Sequence, residues 1–290
     1  MPNNGRMLQL LAASLLWAFS FGLIKGELTG LDPLLVSLVR LALAALAFSF
    51  LVWHSRRDWR LGSKAMALGA IQFGFMYILY IAAYAYLPAW MVALFTVTTP
   101  FYVMFLAAIR DRRLPVRYIV AVVLAIAGAL VTVASGLPEG ASWQGVALLQ
   151  GANLCFAIGQ VFFPDLKRKG SASDATLVAW MYLGAMLVPA IALLVRGTGT
   201  GPLPDQGQWL TLVYLGLLPT ALGFYLWNQG AARVQAGFLA SINNLKVPLA
   251  VFVSWSVFGE EADYLRFGGG LVLLVAALFV AGPATAKRAR

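Results

Sequence analysis

Residues Leu34–Trp53 read LLVSLVRLALAALAFSFLVW, twenty positions with a single charge, Arg40. At 1.5 Å per residue, such a run makes a helix of about 30 Å, the thickness of a bilayer's hydrocarbon core. Lipid offers no hydrogen-bond partners, so a spanning segment must pair its own backbone, which favours a helix. A lipid-facing barrel would alternate apolar and polar residues, and this run is continuously apolar. The same pattern recurs on both sides: Met7–Ile24, Ala65–Leu87, Trp90–Ile109, Val116–Ser135, Trp143–Phe163, Ala175–Val195, Trp209–Gly230, Ala236–Phe258 and Phe267–Gly282. The expected fold is therefore an all-α integral membrane protein with ten transmembrane helices. Of the 290 residues 61% are hydrophobic and 11% charged, against about half and a quarter in soluble domains. Connections are short and carry breakers, such as Asp32-Pro33, Leu87-Pro88 and Gly136-Leu137-Pro138. The first run is longer than a signal-peptide core and has nine more behind it.

Charge sets the expected orientation. With a cytoplasmic N-terminus, cytoplasmic segments hold 16 of the 21 Lys and Arg residues, while Lys25, Arg196 and Arg266 face the other side. Basic loops stay inside, so both termini are expected in the cytoplasm. The +10 net charge is spread over loops that meet anionic lipid headgroups, and no nucleic-acid-binding module is present. The short loops and the lack of a transit segment point to a bacterial inner membrane.

Ten spans with both ends inside suggest two halves of five, residues 1–139 and 140–290. Five is odd, so the second half enters inverted, a plan that puts a substrate site near the midplane between halves. Tyr77 to Pro100 aligns with Tyr225 to Pro248 at a constant offset of 148, with Ala83 and Ala231 also coinciding.

Several short motifs carry a family likeness: Leu15-Leu16-Trp17-Ala18, Val36-Ser37-Leu38-Val39-Arg40, and Ala236-Gly237-Phe238-Leu239-Ala240-Ser241 running through Pro248 to Phe258-Gly259-Glu260-Glu261. In this order the chain resembles the drug/metabolite transporter superfamily, in its ten-helix branch of two EamA-type repeats. Arg110-Asp111-Arg112 takes the matching place in the first half, with Asp where the family usually has Glu. The resemblance implies export of metabolites, amino acids above all. The Trp- and Tyr-rich helices are similar to those of the aromatic-amino-acid exporters (YddG type). At the Arg40 position the family often has Arg.

All eleven Asp and Glu residues lie in loops or at span ends. Proton-coupled carriers commonly relay through a buried carboxylate. Small multidrug-resistance relatives carry a Glu in the first helix, where this chain has Ser14, Trp17 and Ser20. A cation-drug/proton antiporter is thus disfavoured. Lys246 falls mid-span, where a lysine costs roughly 2.5–3.5 kcal/mol to insert. Asn243 shares its face, and the two would suit a substrate carboxylate, unless Lys246 only bonds carbonyls freed near Pro248. Arg40 either snorkels out to Asp32 or lines a vestibule that attracts anions.

Aromatic and amide residues form stripes at helical spacing: Phe73, Tyr77, Tyr80 and Tyr84; Ser14, Trp17 and Phe21; Asn153, Phe156 and Gln160; Tyr225, Asn228 and Gln229. Trp53, Trp90, Trp143 and Trp209 lie near span ends and read as interfacial anchors. Trp17, Tyr80 and Tyr225 lie mid-span, where their polar atoms need partners; they would wall a planar side chain, with Asn243, Gln160 and Asn228 meeting polar atoms. Packing alone is the other reading of each stripe. Pro100 and Pro248 are candidate hinges between the halves.

Catalysis finds no support. His54 and Cys155 are each the only residue of their type, so no metal cluster or Cys–His pair is available, and no phosphate-binding loop or nucleophile elbow occurs. No cofactor or metal is expected. The expected function is secondary transport by alternating access, exporting small metabolites, aromatic or neutral amino acids first among them, by facilitated diffusion or exchange. Export of other organic anions, such as organophosphates or dicarboxylates, is the alternative, and a receptor or scaffold role the third. The expected partners are the small-molecule substrate and membrane lipid. Nothing in the sequence fixes an oligomeric state.

Overall fold

The computed structural model describes residues 4–54, 59–112, 116–132, 141–168, 172–197, 201–231, 250, 253, 256–257, 259 and 264–281. Every named element among them is helical: α1 (Asn4–Leu28), α2 (Pro33–His54), α3 (Trp59–Ala83), α4 (Ala89–Arg110), α5 (Val116–Thr132), α6 (Trp143–Arg168), α7 (Asp174–Arg196), α8 (Gln206–Gly230) and α9 (Tyr264–Ala281). Seven of these, α1–α4 and α6–α8, are long and apolar enough to cross a membrane. Helix α9 corresponds to the tenth expected span. The ninth, with Lys246, Asn243 and Pro248, lies largely outside the described residues, and those three residues lie wholly outside them.

The third and sixth spans differ from expectation at three boundaries. The third span starts at Trp59 and ends at Ala83, not Ala65 and Leu87. Its first turns are polar outside, but Leu61 and Gly62 are buried, with Gly62 seated against the Trp180 ring. At the far end residues 84–86 wind down through i→i−3 bonds of 3.0–3.2 Å, and Pro88 disfavours helix at Leu87. The sixth span runs past Phe163 through Pro164 to Arg168.

The outward faces are apolar. Leu194, Val195, Leu265 and Phe279 are each more than three-quarters exposed. Water would penalise such a surface and lipid would not. Trp53, Trp143 and Trp209 are exposed, as interfacial anchors would be. Trp90 is not: it is only 7% exposed and belongs to the core.

Inside, α2 packs on α7, and α5 on α9. Helix α3 lies against both α6 and α7, and α8 against both α1 and α2. The α3–α7 crossing is set by glycines. A Cβ on Gly69 would meet the Met181 carbonyl oxygen at 2.1 Å, and one on Gly184 would meet that of Met66 at 2.1 Å. Only hydrogen fits at either place, so the two backbones touch directly.

Candidate functional site

Two irregularities in the helices build the site. In α8 residues Gly216–Leu222 form a π turn around Pro219. Proline has no N–H to offer the Leu215 carbonyl. The Thr220 hydroxyl donates to it instead, at 2.7 Å. Other carbonyls of the turn also have partners: Trp17 Nε1 donates to Pro219 O (2.9 Å), and the Tyr182 hydroxyl lies 2.9 and 2.7 Å from the carbonyls of Thr220 and Ala221. Thr220 has therefore committed its own proton and can only accept from elsewhere. It accepts from Tyr77 Oη (2.8 Å) and Arg40 Nε (3.2 Å), while Arg40 Nη2 donates to Tyr77 Oη at 2.8 Å. The Arg40 guanidinium carbon also sits 4.5 Å from the Tyr77 ring centre.

Arg40 is thus held rigidly and is 2% exposed. Its Nη1 is buried with no hydrogen-bond partner, and no carboxylate pairs with it among the described residues. It does not reach Asp32. That carboxylate caps α2 through the Leu34 N–H (2.8 Å) and pairs with Arg196 of α7. An unpaired buried charge is costly, and Arg40 is one of the residues that line a cavity.

That cavity encloses about 540 Å³ of space, part of it open. Its wall is aromatic on several sides, with Trp17 and Phe21 from α1, Tyr77 and Tyr80 from α3, Phe156 from α6 and Phe224 from α8. The polar groups on it are few: Arg40, Ser20, Thr96, Thr99 and Asn153, besides the Tyr hydroxyls and the Trp17 indole. Among the described residues no Asp or Glu lines it. The second irregularity supplies one side. Helix α4 passes through a 3-10 turn at Thr96–Thr98 before resuming at Thr99, and Pro100 stands in the first turn of the resumed helix, where its missing N–H costs little. Asn153 Nδ2 donates to the Phe95 carbonyl at this break (2.9 Å) and to Thr98 Oγ1 (3.1 Å).

The expected site residues divide. Trp17, Tyr80 and Arg40 are together on the wall, and Tyr80 Oη bonds Tyr84 Oη at 2.7 Å. Tyr225 lies away from it, its hydroxyl accepting from Gln229 Nε2 at 3.0 Å. Asn228 and Gln160 are buried outside the wall. Tyr77 was visible only as part of a stripe, and Thr220 was not visible as a site residue at all. The signal for Thr220 is its place directly after an intramembrane proline. Thr220→Val should keep the shape and remove the anchor of both Arg40 and Tyr77, while leaving Leu215 O unbonded. We expect about 1–2 kcal/mol lower stability and about tenfold slower transport, read as a thermal shift and an initial rate.

A sequence profile of the EamA-like transporter family matches residues 6–134 and again 143–282. The chain belongs to this EamA-like transporter family. It is a multi-pass membrane protein that transports small molecules, not an enzyme. It is 35% identical to a biotin transporter of Salmonella typhimurium over 277 residues, 94% of this chain and 92% of that one. It is 27% identical over 274 residues, 91% and 90% of the two chains, to a probable amino-acid metabolite efflux pump of the same species. Its fold also matches a solved crystal structure at a TM-score of 0.71 and 17% identity, covering 97% of both chains. Membership establishes the drug/metabolite transporter resemblance.

Proposed function

We propose that this EamA-like transporter is a secondary carrier of small monocarboxylates with a compact, largely neutral body, and that biotin is its first candidate substrate. The carrying observation is Arg40, which lines an aromatic cavity, is buried and fixed on two sides, and keeps Nη1 unspent. A carboxylate there would accept from the guanidinium in a charge-assisted bond. The aromatic wall suits an apolar ring.

An amino acid is the second reading, favoured by the likeness to an amino-acid metabolite efflux pump. It would bring an ammonium as well. Among the described residues the wall offers that group hydroxyls and one amide, with no carboxylate. Biotin has a carboxylate and a neutral cyclic urea, so it leaves no second charge unpaired. A buried unpaired charge would cost several kcal/mol, enough to decide between the two.

Ten spans in two inverted repeats, residues 1–139 and 140–290, are supported by the packing. Numbering spans along the chain, contacts 3–7 and 8–2 exchange under a shift of five, as do 1–8 and 6–3; 2–7 and 5–10 map onto themselves. The third and eighth spans each carry a π turn, at Ala70–Phe75 and Gly216–Leu222. The double family match supports it too. Alternating access would rock one repeat on the other, with the break before Pro100 as a hinge, in a bacterial inner membrane with both termini cytoplasmic. That no acid lines the wall among the described residues supports uncoupled or exchange transport.

The test is entry of labelled biotin and labelled tryptophan into proteoliposomes, with and without a pH gradient, for wild type, Arg40→Gln and Lys246→Ala. Biotin entry that is indifferent to the gradient and lost in Arg40→Gln supports the proposal. Entry of tryptophan alone would transfer it to the second reading. Loss in Lys246→Ala with Arg40→Gln unaffected would move the carboxylate to Lys246.

A further inference from the structure

Beyond the cavity floor lies a pair of amides that no contact yet explains. Gln72, on the π turn of α3, donates from Nε2 to Asn228 Oδ1 of α8 at 3.2 Å. Gln72 is 0% exposed and Asn228 1%. Gln72 Oε1 and Asn228 Nδ2 are buried and have no hydrogen-bond partner. Turning both amides together keeps the shared bond and leaves the same remainder, one acceptor and one donor. Such a half-satisfied pair is unfavourable in an apolar bundle. Glycine makes room for it: a Cβ on Gly159 of α6 would come within 2.0 Å of Gln72 Cδ.

The pair stands across an aromatic floor from Arg40. Trp17, Phe156 and Phe224 face the cavity. Trp227, next to Asn228, lies tilted against Trp17 with centroids 5.0 Å apart, and Phe73, next to Gln72, lies 4.8 Å from Phe224. Arg40's anchors are Tyr77 on α3 and Thr220 on α8. They precede or follow the amides by five and eight residues, about 7–12 Å along the helices. A ring at one end of a short aliphatic acid would reach from one to the other once the floor parts.

We infer that the Gln72–Asn228 pair is an inner substrate subsite, which receives a neutral head bearing an N–H and a C=O side by side, as a cyclic urea or carboxamide does. It rests on the carboxylate reading above. The cavity holds the acid end at Arg40; the amides take the head as the rings separate, so the solute exchanges one set of polar partners for another without crossing a wholly apolar layer. This assigns to two residues the choice among acids of similar size, which Arg40 cannot make.

The experiment compares biotin with octanoate, an acid that lacks such a head, in proteoliposomes of wild type and of Gln72→Met/Asn228→Leu. Replacing both partners with apolar groups of like shape should leave the fold intact, checked by a monodisperse elution profile. The expected result is a biotin-to-octanoate ratio of entry rates lowered by about tenfold or more. A ratio within about twofold of wild type, whether both acids slow or neither does, would overturn the subsite and leave a packing role. Wild type that admits neither acid would instead overturn the carboxylate reading, and the subsite with it.

Discussion

Arg40→Leu is expected to admit biotin at about one-hundredth of the wild-type rate or less, and to melt no lower than wild type. The first half follows from the bonds at stake. Charge-assisted hydrogen bonds contribute about 1.5–3 kcal/mol each, and a carboxylate on Nη1 and the adjacent guanidinium edge would make one or two. Losing about 3 kcal/mol is roughly a hundredfold. The second half follows from what Arg40 costs the protein by itself. Its charge is buried with no carboxylate partner among the described residues, and replacing such a charge by an apolar group is commonly neutral or stabilising. Tyr77 and Thr220 keep each other and Leu215 O as partners when it goes. A structural arginine would behave oppositely, with lower melting and partial transport. Arg40→Lys should fall between, near a tenfold loss, because an ammonium carries the charge but cannot hold Nε and Nη2 in their fork. Equal rates for wild type and Arg40→Leu would remove Arg40 from the site.

The long apolar runs were readable because lipid leaves helices little choice, and α2, Leu34–Trp53 in expectation, moved by one residue at either end. What stayed hidden depends on neighbours in space. Arg40 had two readings from sequence alone, since Asp32 is near in the chain; only the fold shows Asp32 paired with Arg196 across to α7. The π turns leave no periodic trace, because six or seven residues shift the phase by less than the pattern's own noise. Thr220 therefore looked like any small polar residue in a helix. Gln72 belonged to no stripe at all, and its meaning comes from Asn228, 156 positions away. Trp90 resembled an anchor because it opens a span, yet it is buried in the core. Tyr225 shared a face with Asn228 in the helical wheel, but that face divides between the cavity's neighbours rather than its wall. Apolar length travels well from sequence to the placement of helices; the chemistry of the cavity depends on which faces meet.

Gly184→Val is expected to lose about 3 kcal/mol or more of stability, while Gly268→Ala on α9 gains up to about 1 kcal/mol. Both replace a helical glycine in a transmembrane bundle, and propensity alone would predict little difference between them. The contrast comes from what each new carbon would meet. At Gly184 it would lie 2.1, 2.5 and 2.6 Å from the O, C and Cα atoms of Met66, and at Gly268 nothing stands within 4 Å. Met66 presents backbone there, which cannot turn aside as a side-chain end would. Gly69 meets Met181 in the same way from the other helix, so relief at one contact would tighten or break the second. The crossing must then open by more than an ångström, or α3 must slide. Either motion displaces the π turn that begins at Ala70, and with it Gln72 and Tyr77, the α3 partners of Asn228 and Arg40. Loss of fold and loss of transport should therefore appear together in Gly184→Val, seen as a lower melting temperature and slower biotin entry in the same preparation. Melting at the wild-type temperature with transport reduced would mean that the helices have slid without unpacking, and would make the α3–α7 contact a sliding surface of the transport cycle instead of its fixed axis.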